Sequence, residues 1–361
     1  MIDARKSGYN KYTRTKSSYL NLKEITLKNM FGGTPTGNEM VDTHLKLIEK
    51  MDFEGFNKQR WDIVDEVLDE NVVTTFSNGM VLNGRKPSVN MLMKQAITWA
   101  PDIQVKHRFN FGSGNFTCTN LLISGTFTQT MKAMQKGMED IEATGKPFTM
   151  NNCSIAYWKD NKIKELYVFG DSYDFMKQLG IAEQKMNMEL PPELTSTKFD
   201  DIGFDDVDTL HDCGNGDEQV KKNLSSLQQI DFAGFNKRDW NIVEKLLDKN
   251  ITSIFSNGEK VAGRDKNIEL MKQSLDFAPD THVKHQIQFG SGDMTCVYIL
   301  VSGTFKNPLK AKDGTLIEPT DKKYVMRHCA VEQWNNGILM ESYIFTDTLD
   351  AMRQFKTNKL F

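Results

Sequence analysis

Cysteine is scarce and forms no recognisable site. Cys118, Cys153, Cys213, Cys296 and Cys329 include no CxxC pair and no Cys/His cluster at zinc-ligand spacing, so no metal site is expected. Four of the five lie in apolar strand-like runs, where a free thiol behaves as a small hydrophobe. A reducing intracellular compartment, the cytoplasm first, is the simplest expectation. An excess of positive charge is also missing: 45 Lys and Arg face 48 Asp and Glu, a net charge of -3, which argues against nucleic acid as a partner. Long apolar runs are absent, so no membrane span is expected. The first ten residues carry no apolar core of the kind a secretory signal needs. The first 33 residues hold seven basic and two acidic side chains and resemble an organelle transit segment in composition, although Asp3 and Glu24 do not suit one. An organelle is the alternative compartment. What is present, 39% hydrophobic and 10% aromatic residues in a chain of 361, suffices for two or three cored domains.

A duplication dominates the chain. Asp52-Phe-Glu-Gly-Phe-Asn-Lys58 returns as Asp231-Phe-Ala-Gly-Phe-Asn-Lys237, an offset of 179. The offset is 178 at Ala100-Pro-Asp102 and Ala278-Pro-Asp280, and 176 at Glu165-x-Tyr167-x-Phe169-x-Asp171 and Glu341-x-Tyr343-x-Phe345-x-Asp347. Three residues of drift are what changes in loop length on a retained fold would produce. The expected domains are 42–180 and 220–361, preceded by a basic arm at 1–41 and joined by an acidic linker at 181–219. Within 181–218 eleven acidic residues face two lysines, which marks a solvated segment. Arm and linker have opposite charge and are candidate docking elements for other proteins.

Each unit changes period partway. Apolar stripes between Leu45 and Leu68 give two helices interrupted at Gly55, and Lys86 to Trp99 gives a third. After Pro101 the period becomes two, with Val105, His107, Phe109 and Phe111 on one face, and strands follow at 117–127, 148–158 and 162–170. Asp160-Asn161 and Asn336-Gly337 mark hairpin turns. Phe-Gly-Ser-Gly at 111–114 and 289–292 joins two strands and reads as a turn rather than a phosphate loop. Helices followed by an antiparallel sheet make an α+β class. Trp61 and Trp240 lie on helix stripes and read as core.

Pro101-Asp102, Ser124-Gly-Thr126, Thr144-Gly-Lys146, Trp158-x-Asp160-x-Lys162-Ile163, and Asp171 followed by Gln178-Leu-Gly180 resemble the SnoaL-like polyketide cyclase family. The resemblance covers 42–180 and again 220–355. It implies the nuclear transport factor two-like fold, here as two tandem cone-shaped α+β barrels. It also implies chemistry without metal or organic cofactor, in which an aspartate near the last strand is acid/base in a ring closure. The matching positions are Asp171 and Asp347. The chain departs from the family at Phe127 and Phe305, where histidine is usual, and at Leu166-Tyr167 and Ser342-Tyr343, where His-Trp is common.

A carboxylate in an apolar cone has its charged form disfavoured and its pKa raised, as an acid/base residue needs. Alternation places Glu165, Tyr167, Phe169 and Asp171 on one strand face, and Glu341, Tyr343, Phe345 and Asp347 on its counterpart. If that face is concave, tyrosine and aspartate meet in the pocket; otherwise each aspartate caps the following helix. Tyr167, Asn152 and His107 are candidate ligand contacts in the first cone, and Tyr343, His328 and His285 in the second. His107 and His285 read equally as satisfied core histidines. Two functions follow. The first is a non-catalytic or vestigial ligand-binding or structural protein, an internal pseudo-dimer that docks other proteins. The second is a cofactor-free cyclase or isomerase acting on a small apolar substrate.

Overall fold

A computed structural model describes residues 37–132, 140–182 and 217–358. The basic arm and acidic linker lie outside the described residues except for their ends. In the first unit Asn38 caps α1 (Glu39–Lys50) by accepting the Met40 and Val41 amides, and Val41, His44, Leu45 and Ile48 form its buried stripe. The helix continues as a π-helical turn, Met51–Phe56, and α2 (Trp61–Val67) folds back on it. A Cβ on Gly55 would stand 2.7 Å from Val64 Cγ2, so this close crossing requires glycine. Gly234 is in the same position against Val243.

Six strands follow: β1 (Leu68–Phe76), β2 (Val81–Asn83), β3 (Gln104–Ser113), β4 (Phe116–Thr126), β5 (Pro147–Lys159) and β6 (Lys162–Phe169). Between β2 and β3 run α3 (Arg85–Val89), a π-helical turn at Asn90–Lys94, and α4 (Gln95–Trp99); α5 (Ser172–Leu179) closes the unit. The sheet order is β2-β1-β6-β5-β4-β3, with two edges and no closure into a barrel. It is not wholly antiparallel, because β1 pairs parallel to β6. β1 escapes the alternation analysis since Asp69, Glu70 and Asn71 hide its buried Leu68, Val72 and Thr74.

The second unit repeats this order. It comprises α6 (Glu218–Gln228) with a π-helical extension Gln229–Asn236, α7 (Trp240–Leu246), β7 (Leu247–Phe255), β8 (Lys260–Ala262) and α8 (Arg264–Phe277). Then come β9 (His282–Ser291), β10 (Met294–Thr304), the short pair β11 (Leu309–Lys310) and β12 (Leu316–Ile317), β13 (Lys323–Asn335), β14 (Ile338–Phe345) and α9 (Thr348–Gln354). Its main sheet order is β8-β7-β14-β13-β10-β9.

One residue of the three-residue drift is not in a loop. The offset drops from 179 to 178 across α3 and α4, whose second-unit counterpart is the uninterrupted α8. The extra residue is taken up as the π-helical turn at Asn90–Lys94, while the other two belong to the connection between β4 and β5. Lys94 and Lys272, in step at the new offset, place their ammonium groups over Trp61 and Trp240 at 5.3 and 5.2 Å. Both tryptophans are thus half-buried rather than core.

Three apolar layers result. On one face of the first sheet Phe148, Ala156, Trp158 and Leu166 pack on the helices with Ile48, Val64 and Trp99. Val297, Ala330 and Trp334 pack on Val220, Leu224 and Val243 in the second unit. The opposite faces of the two sheets meet: Phe109, Phe111, Cys118, Cys153 and Phe169 pack with Phe289, Cys296, Tyr298, Cys329 and Tyr343. Phe111 meets its counterpart Phe289 with ring centroids 6.0 Å apart.

Candidate functional site

The repeated motifs act as staples. Asp102 accepts both the Thr126 amide (2.8 Å) and hydroxyl (2.7 Å), and Asp280 holds Thr304 at the same distances. Asn57 pairs with the backbone of Val105 at 2.8 and 2.9 Å, and Asn236 with Val283 at 2.9 Å in both directions. Gln178 and Gln354 clip the closing helices to the edges of β5 and β13 in the same way. These side chains satisfy backbone groups that would otherwise lack partners, and they fix the cones.

Asp171 and Asp347 each use one oxygen to cap a helix, Oδ1 of Asp171 accepting the Tyr173 and Asp174 amides and Oδ1 of Asp347 those of Leu349 and Asp350. Their Oδ2 atoms cross between domains. Thr348 donates to Asp171 at 2.6 Å, and Ser172 donates to Asp347 at 2.7 Å. Burial raises both carboxyls, Asp171 to about 6, against the opposing hydroxyl bonds. Both lie just beyond the strand ends, and the strand face that leads to them is turned to the seam between the sheets, not to the helices. Tyr167 and Phe169 pack on Tyr298 at 5.4 and 5.0 Å, and Tyr343 packs on Phe109 at 5.7 Å. Tyr167 and Tyr343, expected to meet a ligand beside the aspartates, instead donate their hydroxyls to Glu165 and Glu341.

The other candidates are on the concave side. His107 Nε2 lies 2.8 Å from Asp52 Oδ2 under the Phe53 ring, and its Nδ1 is buried without a partner. His285 is fully buried and bonded at both nitrogens, to Asp231 at 2.8 Å and to Gln288 at 2.9 Å. Sequence reasoning passed over Asp52 and Asp231, whose partners lie some 55 residues further on. The signal was their identical position in both copies of the opening motif.

Glu332 was also missed. It is 6% exposed, accepts a 3.2 Å bond from Thr295, and is raised to about 8 by burial and by the neighbouring Asp231 charge. Burial and that charge favour its protonated form, which can donate. On the same strand face as Glu332, His328 is lowered to about 4 by burial, so its ring is neutral. Its Nε2 is buried without a protein partner, although the residue as a whole keeps some accessible surface. Met326, Ile299 and Ile344 on this concave face also keep partial exposure, as do Leu121, Ile123 and Met150 in the first cone. Phe127 and Phe305, by contrast, are fully buried. Asn152 stands where the second cone has His328 and packs on Gly170, where any Cβ would collide with its amide. Arg327, on the opposite face, reaches the seam: its Nη1 lies 3.0 Å from where a Cβ on Gly79 would be. Outside the cones, Trp240, Glu244, Asp265 and Lys272 border an open surface groove of ≈ 490 Å³.

Among the described residues no group of three or more His, Cys, Asp or Glu side chains is placed to hold a metal ion. No helix among them is long and apolar enough to cross a membrane.

No match is found among curated proteins. Among solved structures, a candidate SnoaL-like polyketide cyclase from Jannaschia sp. CCS1 is 19% identical, with a TM-score of 0.34, covering 37% of this chain and 92% of its own. IdmH, a candidate polyketide cyclase from Streptomyces antibioticus, is 18% identical, with a TM-score of 0.31 and coverage of 38% and 98%. AclR, a candidate hydroxylase from Streptomyces galilaeus, is 15% identical, with a TM-score of 0.33 and coverage of 38% and 97%. The SnoaL-like polyketide cyclase family matches residues 46–179 and again 227–355, and the chain belongs to that family twice over.

Proposed function

We propose that the chain is a ligand-holding building block rather than a catalyst. Its two SnoaL-like domains close on each other as an internal pseudo-dimer, the second cone takes a small, mainly apolar, uncharged molecule, and the segments 1–41 and 181–219 dock other proteins. The observation that carries this reading is the placement of Asp171 and Asp347. Both oxygens of each carboxylate are already bonded, one to a helix N-terminus and one to a hydroxyl of the other domain. A base that takes up a proton there disturbs a cap and a domain contact together.

The second cone is favoured over the first because it offers one acceptor and one donor within apolar walls. Neutral His328 can accept and protonated Glu332 can donate, which suits a hydroxyl- or carbonyl-bearing ligand. The test is native mass spectrometry of the full chain purified gently from its source, followed by extraction of small molecules. A stoichiometric apolar metabolite, lost in His328→Asn, is expected; an empty chain that binds no apolar probe removes the ligand from the proposal.

The second reading is a cofactor-free cyclase or isomerase with Asp171 or Asp347 as acid/base, favoured by the rise of Asp171 to about 6. Turnover abolished in Asp171→Asn or Asp347→Asn, with folding retained, would replace the first reading by this one.

A further inference from the structure

Four thiols meet at the centre of the seam. Cys118, Cys153, Cys296 and Cys329 are free and 0% exposed, with Sγ–Sγ distances of 3.5 Å for 118–153, 3.8 Å for 296–329 and 3.6 Å for 153–329. Cys118 and Cys296 also interact, so each thiol touches one neighbour in its own sheet and one in the other. Phe111, Phe289, Ile155 and Val331 belong to the same apolar layer.

We propose that Cys153 and Cys329 are a modification site, joined as a disulfide across the domain seam when the chain meets a peroxide. Strand register decides which pair can close. Cys118 lies opposite Ile155, and Cys153 opposite Asn120, so the two cysteines sit diagonally with a stagger of two residues. Strands about 4.8 Å apart and residues about 3.4 Å apart along them put such diagonal Cα atoms about 8 Å from each other. That exceeds the roughly 7 Å limit for an unstrained disulfide. Cys296, opposite Val331, and Cys329, opposite Tyr298, have the same stagger. Pairs across the seam are free of this restriction.

Cys153 has the two shortest of those three thiol contacts, 3.5 Å to Cys118 and 3.6 Å to Cys329, and is the attacking sulfur. Burial opposes its ionisation, but hydrogen bonds from Cys118 and Cys329 outweigh that and draw the thiol down, while burial pushes Cys118, Cys296 and Cys329 up. The Cys153 thiolate attacks one peroxide oxygen, breaking the O–O bond. The departing hydroxide takes up the proton that the Cys153 thiol released and leaves as water, and Cys153 becomes a sulfenic acid. Cys329 sulfur then attacks Cys153 Sγ, forming the S–S bond, and the sulfenic oxygen leaves as a second water with the Cys329 proton. Two thiols lose two electrons in total, and one peroxide gains them.

The test uses the full chain carrying Cys213→Ser, so that the cysteine outside the described residues cannot contribute. The reduced folded protein is treated with hydrogen peroxide, unfolded, alkylated and weighed. The expected result is a mass loss of 2 Da with two thiols protected, and a Cys153–Cys329 peptide in a non-reducing digest that persists in Cys118→Ser. The proposal is overturned if all four thiols remain alkylatable at a dose that oxidises the urea-unfolded chain. It also fails if the bond links Cys118 to Cys153 or Cys296 to Cys329, or if the reduced protein carries a stoichiometric metal ion in its native mass spectrum.

Discussion

At the centre of the seam residues are met by their counterparts: Phe111 faces Phe289, Cys153 touches Cys329, and the Thr348–Asp171 bond is answered by Ser172–Asp347. Inside the cones the correspondence fails, since Ala156 stands where the second domain has Glu332, Asn152 where it has His328, and Asn110 where it has Gln288. Where a seam residue touches its own counterpart, a change on one side alone breaks a fitted contact. A cone residue has no such partner in the other domain and can change alone. The domains are therefore alike at these paired contacts, though not across the whole seam, where Tyr298 and Arg327 stand for Asn120 and Asn151, and they differ where they enclose space.

The sharpest way to measure that difference is pH. Glu332, about 8 in the folded chain, returns to the ordinary carboxyl range near 4.5 on unfolding. Between those values the folded state keeps a proton that the unfolded state releases, so stability falls as pH rises through the window. The full effect is on the order of 5 kcal/mol. Asp350 at about 7 and Asp171 at about 6 act in the same direction over narrower windows. Urea midpoints followed by tryptophan fluorescence should drop from pH 5 to pH 8, and Glu332→Gln should remove the largest single share of the drop. An equal drop in that variant would show that Glu332 does not distinguish the cones.

Symmetry of the seam predicts matched losses. Asp171→Ala and Asp347→Ala each remove a helix cap and leave a hydroxyl of the other domain unpaired, about 2 kcal/mol apiece. Chemical denaturation should rank the two variants within about 1 kcal/mol of each other. A twofold larger loss for either would break the comparison at the seam, and loss of the cap alone, with Ser172→Ala and Thr348→Ala silent, would show that the cross-domain bonds contribute little.

How much of this was legible depended on the range of each interaction. The Pro-Asp and Ser-Gly-Thr motifs are read along the chain, and Asp102 does hold Thr126. Alternation showed that Tyr167, Phe169 and Asp171 share a face, but which face is concave is decided by the helices packed on the other side. The parallel pairing of β1 with β6 joins residues some 95 positions apart, and no local period records it. Glu332 occurs in an unremarkable apolar run, and only the proximity of Asp231, about a hundred residues away, makes it a group of interest.

The smallest effect concerns the helix that differs between the units. The π-helical turn Asn90–Lys94 holds one residue more than the regular α8, and turns of this kind are frequent at functional sites. Deleting Met91 leaves Asn-Leu-Met against Glu269-Leu-Met271 and keeps Lys94 in step with Lys272. If the turn merely absorbs an insertion, the deletion restores regular hydrogen bonding and should alter the unfolding free energy by less than about 1 kcal/mol. If the first cone needs the turn to set Leu92 and Ala96, both partly exposed along its core, a larger loss follows, together with the loss of any apolar probe bound there. Such a result would give the first cone a binding role of its own, and the difference between the domains would then be one of ligand rather than of occupied and idle space.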